Sequence, residues 1–430
     1  MSDHQMGYIS VTFLRLFGIL PAPKWHRVLR CSLRAFGVLH ILGMGAALAV
    51  LIVYIAPYLT VPPSSDDSAF VRVFSVSPRF TVVIRSVTIT MLLCFKGHEV
   101  LCLLHRISDI CNSWSSEMKG TFHTKIARSS GLLMCLTFSL QFWTLCCSYA
   151  PYMVTPEKMA YYPKTLRAEN ATLEEEKTSS SIEDPSEDAF WAVLYFEILG
   201  LSLSQQGVII AVLSAAALHL LVTSHNLEIN NIEYQVTSDR YIDAEILTGK
   251  LERARMCRMV LLQLSKEITA CFGRILLVAF FVDQTTVMGT LVALISRKGP
   301  IPVEVAVSFV ASATSYWVYS TVLLWPLAEV HQEAEQTRVH YYCMVVASWK
   351  KFPDESIDCK LYELMQTLYL QSEECEIVIS DCNFVHFTRM LLAQTLTSAL
   401  SFSVFANELV QKSFNTECHR GHSHNFVQTS

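Results

Sequence analysis

Apolar residues along this chain gather into seven blocks, each of about 20 or more residues, the length that crosses a ~30 Å hydrocarbon core. They run over Phe36–Leu59, Phe80–Leu104, Ser130–Met153, Phe190–Val222, Ala270–Ser296, Val303–Leu327 and Phe384–Val410. Backbone N–H and C=O groups find no water partner in lipid, so each block predicts a helix; the short alternating segments of a membrane barrel do not occur. The expected fold class is therefore an all-α membrane protein with seven transmembrane helices. Arg85, Lys96, His98 and Glu99 interrupt the second block. The fourth exceeds what a bilayer needs, so one of its ends should project into water. The first block is too long for the apolar region of a signal peptide and should serve as its own uncleaved insertion signal.

The polar stretches set the orientation. With residues 1–35 placed inside, the inner segments hold about 19 Lys and Arg and the outer ones about 10, the bias expected of cytoplasmic flanks. An odd number of spans then puts the tail, 411–430, outside. The outer loop 154–189 carries Glu174-Glu175-Glu176 and Ser179-Ser180-Ser181 and reads as solvated and flexible. It holds the sequon Asn170-Ala171-Thr172, which makes Asn170 the glycosylation candidate. The inner segment 223–269 is amphipathic: from Asp243 to Ile268 the apolar positions Ile246, Leu247, Leu251, Met259, Val260 and Leu264 approximate helical spacing. Within 328–383, Glu329–Trp349 and Lys360–Leu370 predict two further amphipathic helices, broken at Phe352-Pro353-Asp354. These inner helices should pack on one another, with spans four to six continuing into the cytoplasm as a helical bundle. Residues 36–327 thus hold helices one to six, and 384–410 the seventh.

Composition agrees with a multi-pass protein in contact with membrane lipids. Hydrophobic residues make up 52% and charged residues 17% of 430, with mean hydropathy +0.35, against about 25% charged in soluble domains. A net charge of -5 without a long basic run argues against a nucleic-acid partner. No Gly-rich phosphate loop, HExxH or GxSxG occurs, so neither an enzyme nor a cofactor is expected. The 14 cysteines include no CxxC pair. Cys146, Cys147 and Cys418 fall outside, where a disulfide is chemically allowed, although no spacing pairs them. The tail Cys418-His419-Arg420-Gly421-His422-Ser423-His424 has metal-ligating side chains, but such a terminus is more often disordered, and no metal site is expected.

Charges inside spans cost roughly 2.5–3.5 kcal/mol each on insertion scales and are functional candidates by default. Arg85, Glu197 and Asp283 are such charges, accompanied by Tyr195, Gln205, Gln206, Tyr316, Trp317 and Tyr319. Many fall in the outer half of the bundle, where an aromatic-lined cavity with a few polar groups would suit a small molecule. Arg85, Glu197, Asp283, Tyr316 and Trp317 are the ligand-binding candidates. The competing reading is that Arg85 pairs with Glu197 or Asp283 only to hold helices together. In the last block Ser401, Phe405 and Glu408 or Leu409 share one helix face. Several copies around an axis would make a pore with a carboxylate ring that passes cations. Alternatively, Glu408 sits hydrated at the outer surface.

The last block also resembles a family signature. Arthropod gustatory receptors, within the gustatory and odorant receptor superfamily, carry TYhhhhhQF (h apolar) in their last helix. Here Ser401-Phe402-Ser403-Val404-Phe405-Ala406-Asn407-Glu408-Leu409 places Ser for Thr, Phe for Tyr, Glu for Gln and Leu for Phe. The preceding stretch, from Val330-His331-Gln332-Glu333-Ala334 through Leu361-Tyr362-Glu363-Leu364-Met365-Gln366 to Cys382-Asn383-Phe384, is similar to the family's approach to that helix. The resemblance implies a homo- or hetero-tetrameric, ligand-gated, non-selective cation channel of the plasma membrane that detects a tastant or metabolite. Four last helices would line the pore, with Glu408 and Leu409 at its narrow part, and the segment 328–383 would anchor the subunits. A G-protein-coupled receptor would need its N-terminus outside, and no DRY-like triplet follows the third span and no NPxxY lies in the seventh. A transporter would show repeated halves, which are not evident.

Overall fold

The computed structural model describes residues 8–22, 25–60, 69–114, 187–238, 244–295, 303–322, 324–351, 359–381 and 385–395, with scattered positions between 124 and 143 and between 397 and 408. The fold is nearly all helical: α1 (Tyr8–Leu16), α2 (Arg27–Thr60), α3 (Ala69–Ser113), α4 (Glu187–Thr237), α5 (Ala244–Ile295), α6 (Val303–Val322), α7 (Trp325–Lys351) and α8 (Cys359–Glu374). The described positions between 124 and 143 are helical too, as are residues 389–395 and those described beyond them. Among the described residues, four helices are long and apolar enough to cross a membrane, over Arg27–Val53, Phe80–Ser113, Ile198–Thr237 and Ala244–Val292.

Two separate cores follow from where the apolar faces lie. The larger joins α1, α3, α4 and α5 with parts of α6, through residues such as Leu14, Leu93, Ile209, Leu218, Leu264, Phe272 and Tyr319. The smaller is built at the far ends of α4 and α5 with α7 and α8, around Ile229, Ile232, Leu251, Ala254, Tyr341, Met344, Met365 and Leu368. At 51 and 52 residues, α4 and α5 each reach about 77 Å, far beyond a ~30 Å hydrocarbon core. Both helices therefore extend into this distal bundle.

Several expected boundaries are corrected. The inner segment from Ala244 and the fifth span form one continuous helix, α5, since neither Pro nor a capping sequence separates them. The sixth span ends at Val322, not Leu327, and α7 starts at Trp325 with Pro326 in its first turn. That is where proline's missing N–H leaves no bond unmade. The seventh does not begin at Phe384. Val385–His386 pairs antiparallel with Ser380–Asp381 as β2 and β1, and helix resumes at 389. The extended Ile377-Val378-Ile379 approach suits β-branched residues. It is docked on α5, where Ser265 Oγ donates to Val378 O at 2.7 Å and Ser380 N to Thr269 Oγ1 at 3.3 Å. The small sheet is a departure from a purely helical fold. Of the six apolar positions at helical spacing, Leu247, Leu251 and Leu264 are buried, while Ile246, Met259 and Val260 are exposed.

α1 was not expected at all. Its chain reverses at Gly18, whose φ of +69° favours glycine. A Cβ there would fall 1.7 Å from the Leu33 carbonyl oxygen, and one on Gly37 would meet the Gly18 carbonyl at 2.9 Å. Ile19 and Leu20 consequently lie buried against the helices.

The distal bundle encloses polar groups that are bonded to one another. Arg258, buried, donates to the carbonyls of Cys375 at 2.7 Å and Gln371 at 3.4 Å, so a cation closes the C-terminus of α8. Asn226 donates to Glu333 at 2.8 Å, and His225 Nε2 lies 3.1 Å from the Tyr341 hydroxyl. Burial, with Arg258 nearby, pushes His225 from 6.5 down to about 4. The imidazole is neutral in the folded chain and takes up its proton more readily when unfolded. Its contribution to stability is thus complete above pH 6.5 and drains as pH falls towards 4. Purified protein should lose thermal stability over that window, and His225→Gln should flatten the loss; an unchanged acid profile would remove His225 as its cause.

Candidate functional site

The larger core, formed by the membrane-capable helices, buries two opposite charges where α3, α4 and α5 meet. Arg85 on α3 is fully buried and Asp283 on α5 is 3% exposed. Arg85 Nε lies 2.9 Å from Asp283 Oδ1. That contact is an ion pair between two buried groups. The other guanidinium nitrogens complete a fork: Nη1 donates to Ser204 Oγ at 2.9 Å, and Nη2 to Gln205 Oε1 at 3.2 Å and Asp283 Oδ2 at 3.4 Å. Three helices are tied through one side chain. Such a geometry uses the planar spread of arginine, which lysine lacks.

Polar groups continue around this pair. Gln284, next to Asp283, donates to Ser320 Oγ on α6 at 2.8 Å, and the hydroxyls of Thr81 and Thr286 lie 2.7 Å apart. Tyr319 donates to the Thr137 carbonyl at 2.8 Å, and its ring centroid is 6.4 Å from that of Tyr316. Gln206 is fully buried, yet among the described residues neither its amide oxygen nor its nitrogen has a partner; Gln205 Nε2 and Gln284 Oε1 are likewise unpartnered. A buried amide left unpaired costs about 1–3 kcal/mol. These amides hold donor and acceptor capacity that no described residue meets.

Of the ligand-binding candidates, the structure brings Arg85 and Asp283 together and buries Tyr316 near Tyr319. Trp317, beside Tyr316 in sequence, is 37% exposed. Tyr195 turns the other way: its ring lies 6.1 Å from His40 on α2. Glu197 stands on α4 with its side chain outside the described residues. Ser204, Gln284 and Ser320 were missed, although each is a polar residue within an apolar run and that signal was available.

Of the pore candidates, Ser401, Phe405 and Glu408 are helical and exposed, and Leu409 lies outside the described residues. At the root of this stretch Arg389 pairs with Glu329 on α7 and sits over the Trp325 ring, 5.0 Å from its centroid. Asn170, Cys146, Cys147 and the Cys418–His424 tail also lie outside the described residues. Among the described residues, no group of three or more His, Cys, Asp or Glu is placed to hold a metal ion.

No family model matches the chain, and no curated protein matches it. Solved structures do. Insect olfactory receptor OR5 from Machilis hrabei, in complex with eugenol, superposes with a TM-score of 0.63 at 11% identity, over 95% of this chain and 100% of that one. A second structure of the same receptor gives a TM-score of 0.61 at 12% identity, over 93% of this chain and 96% of that one. The chain therefore shares its fold, over nearly its whole length, with an insect olfactory receptor.

Proposed function

We propose that this chain is a chemoreceptor of the gustatory type, a ligand-gated non-selective cation channel that detects small molecules at the plasma membrane. The observation that carries the reading is the whole-length likeness to a receptor whose structure holds eugenol. The last-helix signature at Ser401–Leu409 supports it independently. In this reading seven helices cross the bilayer with the N-terminus inside, and four copies place Ser401, Phe405, Glu408 and Leu409 around a pore. Arg85, Glu197, Asp283, Tyr316 and Trp317 belong to the ligand site, and Asn170 is glycosylated. The unpartnered amides of Gln205, Gln206 and Gln284 are what a small molecule with a hydroxyl or carbonyl would satisfy.

The test is a ligand panel applied to cells expressing the full chain, read by calcium imaging and whole-cell current, alongside purified protein in planar bilayers. A ligand-evoked current carried by Na+, K+ and Ca2+ is expected. A monomer in detergent that passes no current under any ligand sinks the proposal. A C-terminal tag should bind antibody on intact cells; a tag hidden until permeabilisation favours a G-protein-coupled topology instead.

A further inference from the structure

The start of the chain carries a feature that channel function does not use. Helix α1 is apolar on two opposite sides. Val11 and Leu14, with Ser10, are buried against the bundle, while Tyr8, Ile9 and Leu16 are 51%, 59% and 51% exposed. At 100° per residue the second group forms one stripe centred opposite the first. A helix that docks by one face and leaves an aromatic and two aliphatics on the other is not made for water.

Its surroundings are basic. No Asp or Glu occurs between Asp3 and Asp66, a stretch that contains Arg15, Arg27, Arg30 and Arg34. Arg15 is held locally, donating to the Pro21 carbonyl at 3.3 Å. Arg27 and Arg34 are exposed on the first turns of α2 and Arg30 is half-buried, with Val28 and Leu29 exposed between them. This end of α2 leads directly into a membrane-capable run, Arg27–Val53. The turn after α1 lies against this helix, Gly18 facing Leu33 and Arg34 and its carbonyl close to Gly37, with Ile19 and Leu20 buried.

We propose that α1 and the first turns of α2 form a docking surface for the anionic headgroups of the adjoining bilayer leaflet. Tyr8, Ile9 and Leu16 enter the boundary between headgroups and acyl chains, as interfacial amphipathic helices do. Arg27, Arg30 and Arg34 meet phosphate and carboxylate groups. The occupant is a lipid surface rather than a soluble partner because apolar and cationic groups alternate at the mouth of a span. A lipid headgroup above its acyl chains matches that order.

The experiment uses the purified full chain in nanodiscs of phosphatidylcholine alone and of phosphatidylcholine mixed with phosphatidylserine. Lipid retained after detergent extraction is counted by native mass spectrometry, with the thermal midpoint recorded in parallel. The wild type should retain phosphatidylserine in preference to phosphatidylcholine and melt higher in the mixed disc. Replacing Arg27, Arg30 and Arg34 with Gln should remove that preference, each residue being worth roughly fivefold. Replacing Tyr8 and Leu16 with Ser should weaken retention of both lipids while leaving their ratio intact. Equal retention of the two lipids by the wild type overturns the proposal. So does an arginine variant that keeps the preference, or one that changes only the oligomeric size, which would make a second copy of the chain the occupant. Lipid retention is read without current, so a silent channel does not confound it.

Discussion

Arg85→Leu or Asp283→Leu, made singly, should cost the folded chain about 3–5 kcal/mol, the usual result of stranding one member of a buried ion pair. The surviving charge would have no water and no counter-ion: Arg85 is fully buried and Asp283 nearly so. The loss should appear as a large fall in thermal midpoint and in surface expression. The double replacement with leucine should recover most of both, because an apolar pair of similar volume is often as stable as the ions it replaces. That recovery makes the double variant useful. If the pair belongs to the ligand site, the double variant will reach the surface and fail to respond. A normal ligand response from it would restrict Arg85 and Asp283 to holding α3, α4 and α5 together, and the ligand assignment would have to move to the unpartnered amides.

The second large effect is expected at Glu408. Glu408→Lys should reduce cation current by about tenfold or more, equivalent to at least roughly 1.4 kcal/mol at the barrier. In the proposed tetramer every subunit would turn an attractive carboxylate into a repulsive ammonium at close range. Glu408→Gln should keep the current and alter its permeability ratios, with surface expression unchanged in both variants. Permeation indifferent to both substitutions would place Glu408 at the hydrated end of the helix. Its helical, exposed position accommodates either location in a single subunit, and only the current separates them.

Element type was easy to read from the sequence because lipid-length apolar blocks leave the backbone no alternative to helix. What escaped was governed by less local physics. At the junction of the inner segment with the fifth span, hydropathy changes while helix propensity does not, so α5 runs through it unbroken. Helix α1 is only 9 residues long and is held by packing of Leu14, Ile19 and Leu20 against distant helices. No window along the chain reports such packing. The β1–β2 pair depends on hydroxyls at Ser265 and Thr269 more than a hundred residues earlier. In the site, the cost of a charge in lipid singled out Arg85 and Asp283. The fork to Ser204 and Gln205 required knowing which faces of α3 and α4 meet.

The unbroken run of α5 also has a mechanical side. Asp283 and Thr269 lie on the same helix, about 21 Å apart at its rise per residue. Thr269 and Ser265 grip the strand from which the chain passes, by way of Arg389, into the final helix. No proline interrupts α5 to kink it. A tilt imposed at the buried ion pair would therefore arrive at the foot of the last helix as a displacement, delivered along a single strut.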